Sequence, residues 1–386
     1  MRILYVISGL TFGGAEKQLI ELAKQLVRRG HEVAIYTLNA NVPRKGELTG
    51  SGVRLIIDQK RRKLDPAVIL RIRRAILEWQ PDVVHGFLFD GDFYSRLAAA
   101  GTGVPALNSE RNDAYTVSWH QRLAHWLTRR LARGVVANSF AGGQFAQRRF
   151  GFPPSRVHVV WNGVRLEELE QQAGASAVDV RHDFFSTPSA RIACLVGAIK
   201  PQKNYHLALD TAASLIALDP DWRVLFVGDQ LAHAAPYRPG AASDTTRYKQ
   251  SIVEHYERLG MPDKIRFCGQ RKDVPAVLRQ CDVLFVTSLH EGFPNAVLEA
   301  MALGVPVVST EYSDIRRILP FPGQVVRRHS AEDVARAVLW AHGERDDIAA
   351  AQKAWVRSHA TMETSATAME AVYRCYAKEY PRVQAA

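Results

Sequence analysis

Along the first 165 residues, short continuous apolar runs alternate with longer segments in which apolar side chains recur every three or four positions. The runs at 2–8, 31–38, 53–57, 83–85, 106–109, 135–138 and 157–160 predict strands buried on both faces. Between them, 15–29, 67–79, 93–100, 117–132 and 141–149 have helical periodicity. In the first of these Leu19, Leu22, Ala23, Leu26 and Val27 share one side, and Gly30 supplies the stop. The pattern pauses over 166–190, a polar stretch that reads as a linker. It restarts with strands at 191–197, 222–227, 264–268, 282–287, 305–309 and 324–327. Such alternation predicts an α/β protein of two domains, 1–165 and 166–361, each a doubly wound parallel sheet. The C-terminal segment 362–386 opens with a long helix, 362–380, carrying Met369, Val372, Tyr373 and Tyr376 at helical spacing, and is expected to pack back on the first domain. Residues 231–247, rich in Ala, Pro, Gly and Ser without apolar period, read as a mobile loop.

Composition adds bounds. A chain of 386 residues with 47% hydrophobic content can fill two ordinary cores. It holds no apolar run of about 18 residues, so a cytoplasmic protein is expected, at most peripheral on the inner face of the plasma membrane. Cys194, Cys268, Cys281 and Cys375 have no metal-ligand spacing and read as buried free thiols. The net charge of +11 is uneven: residues 1–165 hold 25 Lys and Arg against 12 Asp and Glu, whereas 166–386 hold 25 against 27. The excess clusters in 44–74, including Lys60, Arg61, Arg62 and Lys63, and in 122–149. Without a nucleic-acid motif beside it, this favours an anionic membrane surface over nucleic acid. Helix 117–132 sharpens the point, placing Trp119, Leu123, Trp126 and Leu127 beside Arg122, His125, Arg129 and Arg130. It reads either as a helix lying on a membrane or as one packing Trp126 and Leu123 on its own sheet.

The densest chemistry lies in 282–310, DVLFVTSLHEGFPNAVLEAMALGVPVVST. It reads as strand, loop, helix and strand, with Asn295 as the helix cap and Gly304 as its stop. Glu291 then occupies the loop at the carboxyl end of a strand, and Glu299 lies a little over one turn into the helix. Open α/β sheets bind ligands at the carboxyl ends of their strands, and a helix N-terminus offers N–H groups to an anion. A phosphate suits that place, with the two carboxylates accepting hydrogen bonds from a polyhydroxylated ligand; two solvated glutamates are the alternative. Other strand ends add Lys200 and Lys203 in GAIKPQKN, Asp229 in VGDQ and Arg271 in GQRKD. In the first domain, Gly13 and Gly14 of GLTFGGAEK either let a phosphate approach the backbone or serve a tight strand-to-helix turn. A nucleotide diphosphate sugar fits the whole set: cations and a helix start for the diphosphate, carboxylates for ribose and sugar hydroxyls.

These residues carry a resemblance. FGGAEK with the following helix and GHEV (12–33), PDVVH (81–85), VHVVWNGV (157–164), VGAIKPQKN (196–204), VLFVGD (224–229) and the run 269–310 resemble the glycosyltransferases of family 4. The resemblance implies the GT-B architecture, two Rossmann-like domains with parallel sheets facing across a cleft that closes on the substrates. It also implies transfer with retention of anomeric configuration, without metal or other cofactor, and makes Glu291 and Glu299 the family's E-x7-E pair. By that resemblance Glu299 binds the ribose and Glu291 the transferred sugar. Gly292, Phe293, Pro294, Asn295 and Ala296, with Gly13 and Gly14, touch sugar and diphosphate; Lys203 stabilises the departing diphosphate; Arg271 lies near the base. Two positions depart from the pattern. Ala198 stands where the family usually has Arg, and Lys200 is the nearby candidate to replace it. Glu110 and Arg111 stand where many members have His, which makes Arg111 a candidate for orienting sugar or acceptor. His85, at an earlier strand end, is the other acceptor-side candidate, with a structural role as its alternative. Asp90-Gly91-Asp92 has the letters of a metal motif but reads as loop or cap. The expected reaction moves a sugar from a nucleotide diphosphate sugar, preferentially UDP-linked, to a glycan or lipid-linked acceptor in surface polysaccharide assembly. The alternatives are a sugar-nucleotide epimerase and an inactive binding protein on the same fold.

Overall fold

The computed structural model describes residues 1–62, 64–112, 118–231 and 244–377. Lys63, most of the predicted loop 231–247 and the end of the predicted helix 362–380 lie outside the described residues. The chain divides into two units, Met1–Gly163 joined by the helix from Met362 onward, and Val164–Thr361.

The first unit contains β1 (Arg2–Ile7), α1 (Gly14–Arg28), β2 (Glu32–Thr37), β3 (Arg54–Ile57), α2 (Pro66–Trp79), β4 (Val83–Phe87), α3 (Leu88–Ala99), β5 (Ala106–Glu110), α4 (Trp119–Thr128), β6 (Ala132–Ala137), α5 (Phe140–Phe150) and β7 (Val157–Val159). The second contains α6 (Leu166–Gly174), α7 (Val180–Phe185), β8 (Arg191–Val196), α8 (Tyr205–Leu218), β9 (Trp222–Val227), α9 (Asp244–Leu259), β10 (Ile265–Phe267), α10 (Val274–Arg279), β11 (Val283–Val286), α11 (Asn295–Leu303), β12 (Val307–Thr310), α12 (Ile315–Ile318), β13 (Val325–Val326), α13 (Ala331–Gly343) and α14 (Arg345–His359). The helix α15 (Met362–Tyr376) returns to the first unit.

Both sheets are parallel throughout, in the orders β3-β2-β1-β4-β5-β6-β7 and β10-β9-β8-β11-β12-β13. Parallel strands need crossovers, so helices cover each sheet on both faces and the strands alternate between two cores. In β1, Ile3, Tyr5 and Ile7 enter one core while Leu4 and Val6 enter the other. The strand order reverses between β1 and β4 and again between β8 and β11, which opens a crevice at the carboxyl ends of each pair. Helix α2 illustrates the local coding: Asp65 caps it by accepting from Ala67 N at 3.1 Å, Pro66 opens it, and Val68, Ile72 and Ile76 form its buried stripe. Helix α15 joins the Ile3–Tyr5–Ile7 core through Met362, Ala366, Met369, Val372 and Tyr373. Arg29 locks it there, donating to both Glu370 oxygens at 2.6 and 3.0 Å and holding that carboxyl down at about 2.

Four expectations are corrected. The stretch 166–190 is not a linker but carries α6 and α7. Leu169 and Ala173 of α6 and Val180 and Phe185 of α7 are buried, and Asp179 caps α7. Residues 244–247, assigned to the loop, open α9. Helix α3 begins at Leu88 rather than 93, so Asp90-Gly91-Asp92 is helical. A Cβ on Gly91 would meet Val6 O at 2.3 Å, so only glycine lets the helix start against the sheet. Asp90 pairs with Lys60 at 2.6 Å, and Asp92 accepts from Ser109 N at 3.0 Å. Finally, Cys194 and Cys281 are buried, but Cys375 is exposed and Cys268 partly so. No helix of the described residues is long and apolar enough to cross a membrane.

Candidate active site at the second switch point

Strands β8 and β11 are neighbours, and the chain leaving each runs into a loop and then a helix. After β8 the backbone passes Gly197 and closes a 3-10 turn, Pro201–Lys203, before Asn204 in the left-handed region (φ 50°) starts α8. The loop after β11 carries Glu291 and enters α11 at Asn295. Two hydrogen bonds fix one loop on the other: Leu289 N donates to Gln202 O at 2.8 Å, and Thr287 Oγ1 donates to Lys203 O at 2.8 Å.

That registration brings Lys203 and Glu291 together. Lys203 Nζ lies 2.5 Å from Glu291 Oε1, with the two side chains 20% and 12% exposed. Ser288 Oγ donates to the same oxygen at 3.0 Å, and Gln202 Nε2 donates to Oε2 at 3.1 Å. Ser288 comes from the loop of Glu291 itself and Gln202 and Lys203 from the facing loop, so the pair is built across two loops that neighbouring strands bring together. Glycines clear the space around it. A Cβ on Gly197 would press on Lys203 Cε at 3.1 Å, and one on Gly228 (φ 133°) would meet Gly197 O at 2.5 Å.

The rest of the predicted donor set is distributed around the pair. Pro294, not Asn295, is the N-cap of α11; Asn295 is its first helical residue, and proline brings no side-chain acceptor to the helix start. Phe293 is buried, and Gly292 O accepts from Ser313 Oγ at 2.9 Å, which pins the turn. Ala296 lies in the first turn of α11, and Glu299 lies one turn further on, 7% exposed. Lys200 is exposed at the start of the 3-10 turn whose end carries Lys203. Arg271 is held by Asp273 through two bonds of 2.8 and 2.7 Å, with one face against Phe184. Asp229 accepts from Ile199 N at 3.0 Å and pairs with Lys249 at 2.8 Å. Gln202, Ser288 and Ser313 were not singled out from the sequence: nothing in residue type separates them from ordinary loop polars.

The remaining predicted residues belong to the first unit. Gly13 is the N-cap of α1 and Gly14 its first residue, after β1. His85, near the end of β4, is fully buried: Nδ1 lies 2.8 Å from Tyr373 Oη and Nε2 3.0 Å from Ser109 Oγ, while Tyr373 Oη donates to Tyr5 Oη at 2.8 Å. Burial, reinforced by the Arg111 charge, holds its imidazole well below the usual range, hence neutral. Arg111 lies over the Phe87 ring at 4.4 Å and donates to Asn162 Oδ1 at 3.4 Å. Burial lowers its guanidinium to about 10, still cationic at neutral pH, and its Nε has no partner among the described residues. Burial likewise pushes the Asp92 carboxyl well above the usual range. Among the described residues no group of three or more His, Cys, Asp or Glu is arranged to hold a metal ion.

Two parallel α/β units of seven and six strands have the GT-B architecture of the solved structures they match. The family descriptions "Glycosyltransferase Family 4" and "Glycosyl transferases group 1" match residues 12–168 and 180–354, and the chain belongs to that family. It is 25% identical over 353 residues to a putative glycosyltransferase, EpsF, of Bacillus subtilis, covering 88% of this chain and 86% of EpsF. It is 26% identical over 193 residues to the lipopolysaccharide core biosynthesis mannosyltransferase LpsB of Rhizobium meliloti, covering 48% of this chain and 52% of LpsB. The fold matches that of Anabaena HepE in complex with UDP and glucose at a TM-score of 0.81, with 19% identity over 97% of this chain and 99% of HepE.

Proposed function

We propose that this glycosyltransferase moves a sugar, with retention of configuration and without a metal, from a uridine diphosphate sugar to a glycan or lipid-linked acceptor of a surface polysaccharide. The observation that carries this is the Lys203–Glu291 pair, an ammonium and a carboxylate 2.5 Å apart at the β8–β11 switch point. A UDP-sugar presents matching groups in sequence: ribose hydroxyls for Glu299, a diphosphate for Lys203 and the α11 start, sugar hydroxyls for Glu291. Arg271 takes the side of the base. HepE, which holds UDP and glucose on the same fold, supports a uridine donor, and LpsB supports a lipid-linked glycan acceptor.

In the reaction the bond between the anomeric carbon and the β-phosphate oxygen breaks, and its electron pair passes to that oxygen. The acceptor hydroxyl bonds to the anomeric carbon from the same face, and its proton passes to the departing phosphate. Lys203 stabilises the charge that develops on the diphosphate, a contribution of about 3–4 kcal/mol when such a donor is preorganised. Arg111, cationic and half-buried in the first unit, is the residue we assign to orienting the sugar or acceptor. Helix α4 supplies the membrane contact. Trp119, Trp126 and Leu127 are 65%, 60% and 63% exposed and Leu123 is 48%, so the helix does not pack its large apolar residues on its own sheet; His125 is its buried anchor. Arg122 on the helix and Arg130 just beyond its end suit anionic headgroups. Much of the 44–74 cluster is already neutralised, Arg44 by Glu47, Lys60 by Asp90, Arg71 by Asp58 and Arg74 by Glu78.

A thermal-shift panel of nucleotide sugars, followed by NMR of the product's anomeric configuration, tests the reading. Stabilisation by a UDP-sugar and a product of retained configuration are expected. Inversion, or conversion of the donor without acceptor, contradicts it.

A further inference from the structure

Glu291 is held by more than its counter-ion, and the geometry points to Gln202 as the residue that positions Glu291 for sugar recognition. This rests on the donor site proposed above and assigns a role within it. The carboxylate has two oxygens with different neighbours. Oε1 takes the Lys203 ammonium and the Ser288 hydroxyl, whereas Oε2 takes Gln202 Nε2 at 3.1 Å. When a diphosphate occupies the site, one ammonium must serve two anions, and the hold of Lys203 on Glu291 weakens. Gln202 is neutral, so the diphosphate does not compete for it in the same way, and its grip on Oε2 survives donor binding.

The backbone makes that grip stiff. Gln202 O accepts from Leu289 N at 2.8 Å, so main chain and side chain of one residue span from the β8 loop to the β11 loop, two residues before Glu291. The neighbouring Lys203 carbonyl is fixed by Thr287 Oγ1. Gln202 thus fixes the carboxylate plane and leaves its remaining lone pairs aimed at a sugar hydroxyl, while touching no part of the nucleotide itself. It is a positioning residue: it acts on the sugar through Glu291.

The separation between sugar and nucleotide supplies the test. Gln202→Ala and the near-isosteric Gln202→Met, which keeps the stem but no donor, are compared with wild type by calorimetric titration of UDP and of the UDP-sugar that binds best in the panel. A lost hydrogen bond to a charged group predicts UDP-sugar affinity weakened about tenfold or more and kcat reduced, with UDP affinity within about twofold of wild type. Gln202→Glu, which sets a like charge against Glu291, is expected to weaken the UDP-sugar further still. Equal weakening of UDP and UDP-sugar would reduce Gln202 to a loop brace and overturn the assignment, as would no change in either. Should Gln202→Ala melt well below wild type, Gln202→Met carries the comparison. A wild-type protein that binds UDP but gains nothing from the attached sugar also overturns this role, whereas one that binds neither UDP nor any UDP-sugar overturns the functional reading beneath it.

Discussion

Below the β1–β4 switch point of the first unit, the sheet face carries polar side chains that satisfy one another inside the core. Tyr5, Tyr373, His85 and Ser109 form one buried hydrogen-bond chain, and α3 begins directly on the strand end. At the β8–β11 switch point of the second, loops of several residues intervene, and the central groups are a partly exposed ammonium and carboxylate. The same topology therefore serves two ends. The buried chain is a structural joint whose groups satisfy each other, whereas the partly exposed pair is the arrangement expected of a ligand site.

The largest test of that contrast is Glu291→Ala. It should lower transfer on the order of 100-fold or more while the melting temperature stays near that of wild type, as measured by turnover of donor and by calorimetry. The opposite pattern is expected for Tyr373→Phe. It leaves His85 Nδ1 and Tyr5 Oη each short of a partner, which costs about 1–3 kcal/mol of stability in denaturant titration, with the donor affinity unchanged. A smaller, pH-dependent difference separates the units as well. Burial holds His85 well below the usual range and His125 at about 3, so the folded first unit keeps both neutral while the unfolded chain protonates them near 6.5. Depressed values contribute stability that is complete above about pH 6.5 and is lost as the pH falls toward 3. Hydrogen-exchange mass spectrometry should show first-unit peptides opening more readily at pH 5 than at pH 7.5, after correction for intrinsic rates, by a larger margin than second-unit peptides.

The same contrast explains what was legible in the sequence. The thirteen strands of the described residues register as short apolar runs because both faces of a parallel sheet are buried, and helix ends follow from Gly30 and Gly304. The second switch point was readable because its parts lie in two short segments, 196–204 and 282–310, with chemistry in the letters. The first was not: Tyr373 reaches His85 from 288 positions away, and no local pattern announces that meeting. Polarity misled at 166–190, where four buried apolar side chains suffice to dock two helices. Apolar periodicity left two readings open at α4, and packing on its own sheet is the one that fails: Trp126 and Leu123 face outward and a histidine is the buried residue. Gln202 was invisible for a third reason: its role depends on a carboxylate 89 positions later.

In the function proposed above, the second switch point receives the diphosphate of a nucleotide sugar through Lys203. Calorimetric titration of UDP into wild type and Lys203→Ala tests it most directly. Measurable affinity is expected in the wild type and a loss of tenfold or more in Lys203→Ala, from removal of a charged partner of the diphosphate. Equal affinity in both proteins would contradict it.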